Sequence, residues 1–173
     1  AVVLDGGYVT GELVSIQASD TTIADLTLQR AYFHPIHASG PDAPISGIVI
    51  HNVRVVDPGE QAIKVNPVGA GTVDDSTLEC SHLELTDAGR PHIRNSCYTG
   101  GLDAHAATGW VVRRNRIEGF WCDDGLSEHG IHMWRQCADT LVEDNLILDC
   151  ARGIGYGLGP GPDGHTGGII RNN

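Results

Sequence analysis

The sequence predicts an all-β chain coiled as a right-handed parallel β-helix of about five to six coils, a single solenoid domain. Three observations carry that expectation. The composition is rich in turns and poor in bulky core residues, with 23 Gly against 2 Phe and 1 Met in 173 residues. Val, Ile and Leu supply most of the apolar mass, which suits short strands joined by turns. No long stretch places apolar residues at helical spacing, whereas two apolar patterns recur with a period of roughly 30 residues.

The first recurring pattern runs through apolar residues to an Asn and on into further apolar residues. It reads VIHNVRVV at 49–56, VRRNRIEG at 112–119, VEDNLILD at 142–149 and IIRNN at the end. Weaker copies, IADLTLQR at 23–30 and CSHLELTD at 80–87, set Asp25 and His82 against the Asn of the others. Repeated Asn at a bend predicts a stacked amide ladder that satisfies turn backbone groups. That structural role is the expectation for Asn52, Asn115 and Asn145.

The second pattern lies between these anchors: PIHAS, AIKVN, GLDAH, GIHMW and GIGYG, beginning at Pro35, Ala62, Gly101, Gly130 and Gly153. Side chains alternate across a strand. Ile36, Ile63, Leu102, Ile131 and Ile154 therefore stack inward, beside Ala38, Val65, Ala104, Met133 and Tyr156. Two strands in each period are expected. The opening segment, up to Gln29, reads as an early coil, and the final unit stops midway, which predicts additional coils or end-to-end packing there.

Charge and cysteine content narrow the function. The formal net charge is −11, from 22 acidic and 11 basic residues. Nucleic acid is disfavoured, because phosphate binding needs clustered Lys and Arg. No apolar run approaches the ~18 residues of a membrane span. None of Cys80, Cys97, Cys122, Cys137 and Cys150 shows CxxC spacing, so no metal site is expected from them. An oxidising compartment (secreted, periplasmic or cell surface) fits better, with Cys80 paired to Cys97 across the irregular insertion.

The inward column implies an outward one: His37, Lys64, Asp103, His132 and Gly155, with Ser39, Asn66, His105, Trp134 and Gly157 beside it. Coils about 4.8 Å apart would gather Lys64, Asp103, His105, His132 and Trp134 into one exposed patch. A base near neutrality, a carboxylate to orient it, a cation and an aromatic platform together point to functional use of the patch. Trp110 and Trp121 are expected to pack instead. Asp123, Asp124, Glu128, and Asp163 with Asp74 and Asp75, lie in acidic loops of the kind that can take calcium, although such residues are usually only solvated. No cofactor is expected otherwise.

At GGLDAH, residues 100–105, the sequence resembles the alginate (mannuronan) C5-epimerases and their β-helix relatives among polysaccharide lyases. Gly101, Leu102, Asp103 and His105 match that family's motif, while Gly100 stands in place of its Tyr and Ala104 in place of its Pro. His129, Gly130 and Ile131 match the His-Gly-apolar step of the next coil, so the likeness covers roughly 98–157. It implies an acidic polysaccharide as partner, His105 as a proton-transfer residue with Asp103 and His132 in the same site, and Lys64 or Arg135 neutralising the sugar carboxylate. Asn66, His129, Trp134 and His37 complete the implied binding surface. Tyr98 is the available substitute for the missing Tyr. The competing expectations are a non-catalytic glycan-binding or adhesive module and, third, neutral-glycan hydrolysis, which needs carboxylates ~5–9 Å apart.

Overall fold

A computed structural model describes residues 2–40, 42–157 and 163–173. Three parallel sheets of six strands each wrap one core, giving the right-handed parallel β-helix that the repeat predicts. The first sheet contains Val14–Ile16, Ile36–Ala38, Gln61–Val65, Gly100–Ala104, His129–Met133 and Arg152–Tyr156. The second contains Thr22–Ala24, Val49–His51, Thr77–Glu79, Val111–Arg113, Leu141–Glu143 and Ile169–Arg171. The third contains Val2–Asp5, Leu26–Gln29, Arg54–Val56, His82–Glu84, Arg116–Glu118 and Leu146–Leu148. Ile45–Ser46 and Val73–Asp74 form a short extra pair.

Each sheet contributes one ladder of β-branched or Leu side chains to the core. In the first, Ile36, Ile63, Leu102, Ile131 and Ile154 are in register, and the first four are fully buried. The second stacks Ile50, Leu78, Val112 and Val142, and the third Leu28, Val55, Leu83 and Ile117. Parallel pairing in register places like on like, so each ladder buries a continuous apolar column. Trp110 is buried and donates its indole N–H to the Val73 carbonyl at 2.7 Å, so it packs as expected.

The coil has three strands rather than the expected two. The Asn-bearing segment is itself two strands joined at a one-residue corner in the left-handed region. That corner falls on Asp25, Asn52, Cys80, Arg114, Asp144 and Asn172, with φ between 50° and 60°. Asn52 therefore aligns with Arg114 and Asp144. Asn115 and Asn145 lie one residue beyond them, and so does Asn173. These three form the expected amide ladder: Asn115 donates to Asn145 Oδ1 at 3.0 Å, and Asn145 to Asn173 Oδ1 at 2.9 Å. Asn52 instead donates to Asp25 at 2.7 Å. Asn suits both the corner and the ladder, so its presence alone could not set the register.

A second corner precedes each strand of the second sheet and alternates between two residue types. Asp20, Gly47, Asp75, Gly109, Asp139 and Gly167 all have φ between 45° and 72°. Backbone N–H groups at these corners join successive coils, as from Asp75 to Thr108 and from Gly109 to Ala138. Each Asp carboxylate leans over the glycine of the following coil, where a Cβ would overlap its Oδ1.

The insertion between the third and first sheets, residues 87–99, includes a 3₁₀ turn at Arg90–His92. It is closed by a disulfide from Cys97 to Cys122, with Cα atoms 5.8 Å apart. The Cys80–Cys97 pairing expected from sequence is thus incorrect. Cys80 occupies the corner between the second and third sheets, where it is exposed and free. Arg90 stacks on Trp121 at 3.5 Å, so Trp121 anchors the neighbouring loop.

Candidate functional site

The outer face of the first sheet assembles the residues singled out by the repeat. Parallel pairing puts His37 beside Lys64, Lys64 beside Asp103, Asp103 beside His132 and His132 beside Gly155. The neighbouring column follows, because His105 N–H donates to Val65 O at 2.7 Å and Trp134 N–H to Ala104 O at 2.8 Å. The expected juxtaposition of Lys64, Asp103, His105, His132 and Trp134 is therefore present.

Its expected exposure is not. The side chains of Lys64, Asp103 and His132 are only 6%, 1% and 0% exposed. Two elements cover them. Trp134 stacks on His132 with centroids 5.2 Å apart and packs against His105 at 4.8 Å. The disulfide-closed insertion brings in Tyr98, whose hydroxyl accepts a hydrogen bond from Lys64 Nζ at 3.0 Å. His105, at 23% side-chain exposure, and the partly exposed Trp134 remain the accessible members of the original group.

Lys64 and Asp103 form the buried ion pair at the centre. His105 Nε2 lies 3.3 Å from Lys64 Nζ and 3.6 Å from Asp103 Oδ2. Burial alone would raise the Asp103 pKa, but the His105 hydrogen bond and the Lys64 charge outweigh it, and the carboxyl stays below its ordinary value. Burial would likewise lower Lys64, yet Asp103 outweighs it and the ammonium is held above its ordinary value. The two shifts agree on a charged pair. Lys64 is thus committed to Asp103 and Tyr98, and it does not present a free cation to a sugar.

Arg135 is exposed and makes no ion pair among the described residues. It shares a groove of about 620 Å³ with Asn66, Pro67, Thr72, His105 and Gln136. His37 lies at the edge of this assembly, held between Glu12 and the Asn66 side chain. His129 packs against His132 with centroids 4.4 Å apart. Asp123 and Asp124 are exposed and line a groove with Arg90, Trp121 and both disulfide cysteines.

No protein-family model matches this chain, and no curated protein matches it in sequence. The likeness of roughly residues 98–157 to uronate epimerases therefore rests on the GGLDAH and His129-Gly130-Ile131 matches alone.

Three residues, Glu128, Glu60 and His34, are not assigned to the site by the sequence. Glu128 was read only as an acidic loop residue, yet its Oε2 lies 3.3 Å from His132 Nδ1. Its carboxyl is held well below the ordinary carboxylate range by His129 first and His132 next. Glu60 and His34, 3.3 Å apart, form a second buried polar pair beneath the insertion. Neither Glu128 nor Glu60 belongs to the repeated columns, so the period gave no signal for them.

Proposed function

We propose that the chain modifies an acidic polysaccharide outside the reducing cytoplasm, by proton transfer at C5 of a uronate. One observation supports this reading most: His105 Nε2 and the Tyr98 hydroxyl converge on one buried Lys64–Asp103 pair. His105 also lines a groove with Arg135, which makes no ion pair among the described residues. The disulfide suits an oxidising compartment.

In this reading Arg135 pairs with the uronate carboxylate and acidifies the C5 proton. His105 takes that proton as general base, and the electron pair delocalises into the carboxylate. Delivery of a proton by the Tyr98 hydroxyl to the opposite face of C5 gives the epimer. Expulsion of the 4-linked oxygen, protonated by Tyr98, gives an unsaturated sugar instead. Asp103 and His132 are too deeply buried to touch a polymer and act as positioning residues. Lys64 holds Tyr98 and His105 in place.

A non-catalytic glycan-binding module is the second reading, favoured by the commitment of Lys64 to Asp103. Incubation with polyuronates separates the two, reading unsaturated products by absorbance and C5 exchange by proton NMR in heavy water. Turnover should fall by about 10²–10⁴ in His105→Ala. It should be unchanged in His51→Ala, on the outer face of the second sheet. A folded chain that binds polyuronate without exchange or cleavage would establish the binding module and reject the enzyme.

A further inference from the structure

Glu128, His129 and His132 each bring one ligand atom to within 4.8 Å of the others, and Asp103 lies beside His132. Asp103 Oδ1, Glu128 Oε2, His129 Nδ1 and His132 Nδ1 are all buried and have no hydrogen-bond partner. Leaving one such atom unpaired costs about 1–3 kcal/mol, and more for a charged group. Three within 4.8 Å of one another, with a fourth beside His132, require a common explanation. His132 Nδ1 is 3.3 Å from Glu128 Oε2 and 3.5 Å from Asp103 Oδ1, while His129 Nδ1 is 3.9 Å from Glu128 Oε2.

We propose that Glu128, His129 and His132 bind one divalent transition-metal ion of the zinc class, with Asp103 Oδ1, beside His132, closing its fourth position. A tetrahedral zinc with bonds near 2.1 Å separates its ligand atoms by about 3.4 Å. The three distances above sit around that value. Two imidazole nitrogens select against calcium and magnesium, which take oxygen donors.

The surroundings support the ligands as a metal site's outer groups do. Lys64 holds Asp103 Oδ2, leaving Oδ1 turned to His132. The His129 ring lies over Gly155, where any Cβ would collide with it. By contrast, the cluster of His82, Glu84 and Glu118 is already neutralised by Arg54 and Arg116 and needs no ion. A closed, buried site of this kind is structural. It ties the loop ending at Glu128 to two strands of the first sheet. The inference is independent of the uronate reading, since it concerns metal content alone.

The test uses untagged full-length protein, stripped with chelator and then dialysed against zinc or cobalt. One equivalent per chain should be retained by elemental analysis, the cobalt form should show the intense visible band of tetrahedral coordination, and Tm should rise by several degrees. Calcium should do none of this. Glu128→Gln, His129→Gln and His132→Gln should each lose most of the bound metal, while His82→Gln keeps it. Circular dichroism checks each variant's fold, and the near-isosteric Glu128→Gln decides the matter if His132→Gln fails to fold. No stoichiometric metal in the folded wild-type chain would overturn the proposal, and so would undiminished binding in folded Glu128→Gln and His129→Gln.

Discussion

Lys64 shows how far a single residue's role depends on depth. An exposed lysine beside an aspartate contributes little, but Lys64 and Asp103 are nearly inaccessible. Removing one partner leaves a buried, uncompensated charge. Lys64→Ala should therefore destabilise the fold by about 3–5 kcal/mol, measured by urea denaturation. His34 offers a pH readout at the same scale. Burial lowers its pKa from 6.5 to about 4, against the weaker opposing pull of its hydrogen bond to Gln61 O. Between those values the unfolded chain binds the proton and the folded chain does not, so His34 destabilises the fold as pH falls through that window. Glu60, 3.3 Å away, is shifted upward from 4.5 by burial and acts in the opposite sense within the same window. The clean measurement is thus the His34 NMR resonance, which should titrate near pH 4 and not near 6.5.

Among the elements, the Asn ladder and the disulfide-closed insertion stabilise different parts of the coil. Asn145 is 4% exposed and bonds the Val112 carbonyl, the Asn115 N–H and Asn115 Nδ2. Asn145→Ala strands several buried backbone groups and should cost about 1–3 kcal/mol in denaturant unfolding. What the sequence revealed divides along the same line. The columns His37–Lys64–Asp103–His132 and Asn66–His105–Trp134 were legible because parallel pairing converts a repeat directly into neighbours. The depth of those columns was not, because it comes from Tyr98, Cys97–Cys122 and Trp134, the first three on segments outside the period. The third strand was hidden for another reason. Only Asn52 and Val53 separate Val49–His51 from Arg54–Val56, a gap too short to read as a turn, so two strands read as one.

At the scale of the molecule, the net charge of −11 opposes the substrate proposed here. A polyuronate must approach His105 and Arg135 against the mean field of the chain. Salt screens that repulsion over about 10 Å at 0.1 M. KM for a polyuronate should therefore fall as ionic strength rises from roughly 0.01 to 0.1 M, in steady-state kinetics. A neutral glycan would show no such trend.

The alternation of Asp20, Gly47, Asp75, Gly109, Asp139 and Gly167 along one corner gives the solenoid a parity. Its smallest translational unit along that edge is a pair of coils, although each coil alone closes a full circuit of the core. Losing or duplicating one coil would set carboxylate over carboxylate, or glycine over glycine, at the join. Duplicating two would preserve the sequence of the edge. For this chain, lengthening that respects the corner proceeds in even steps.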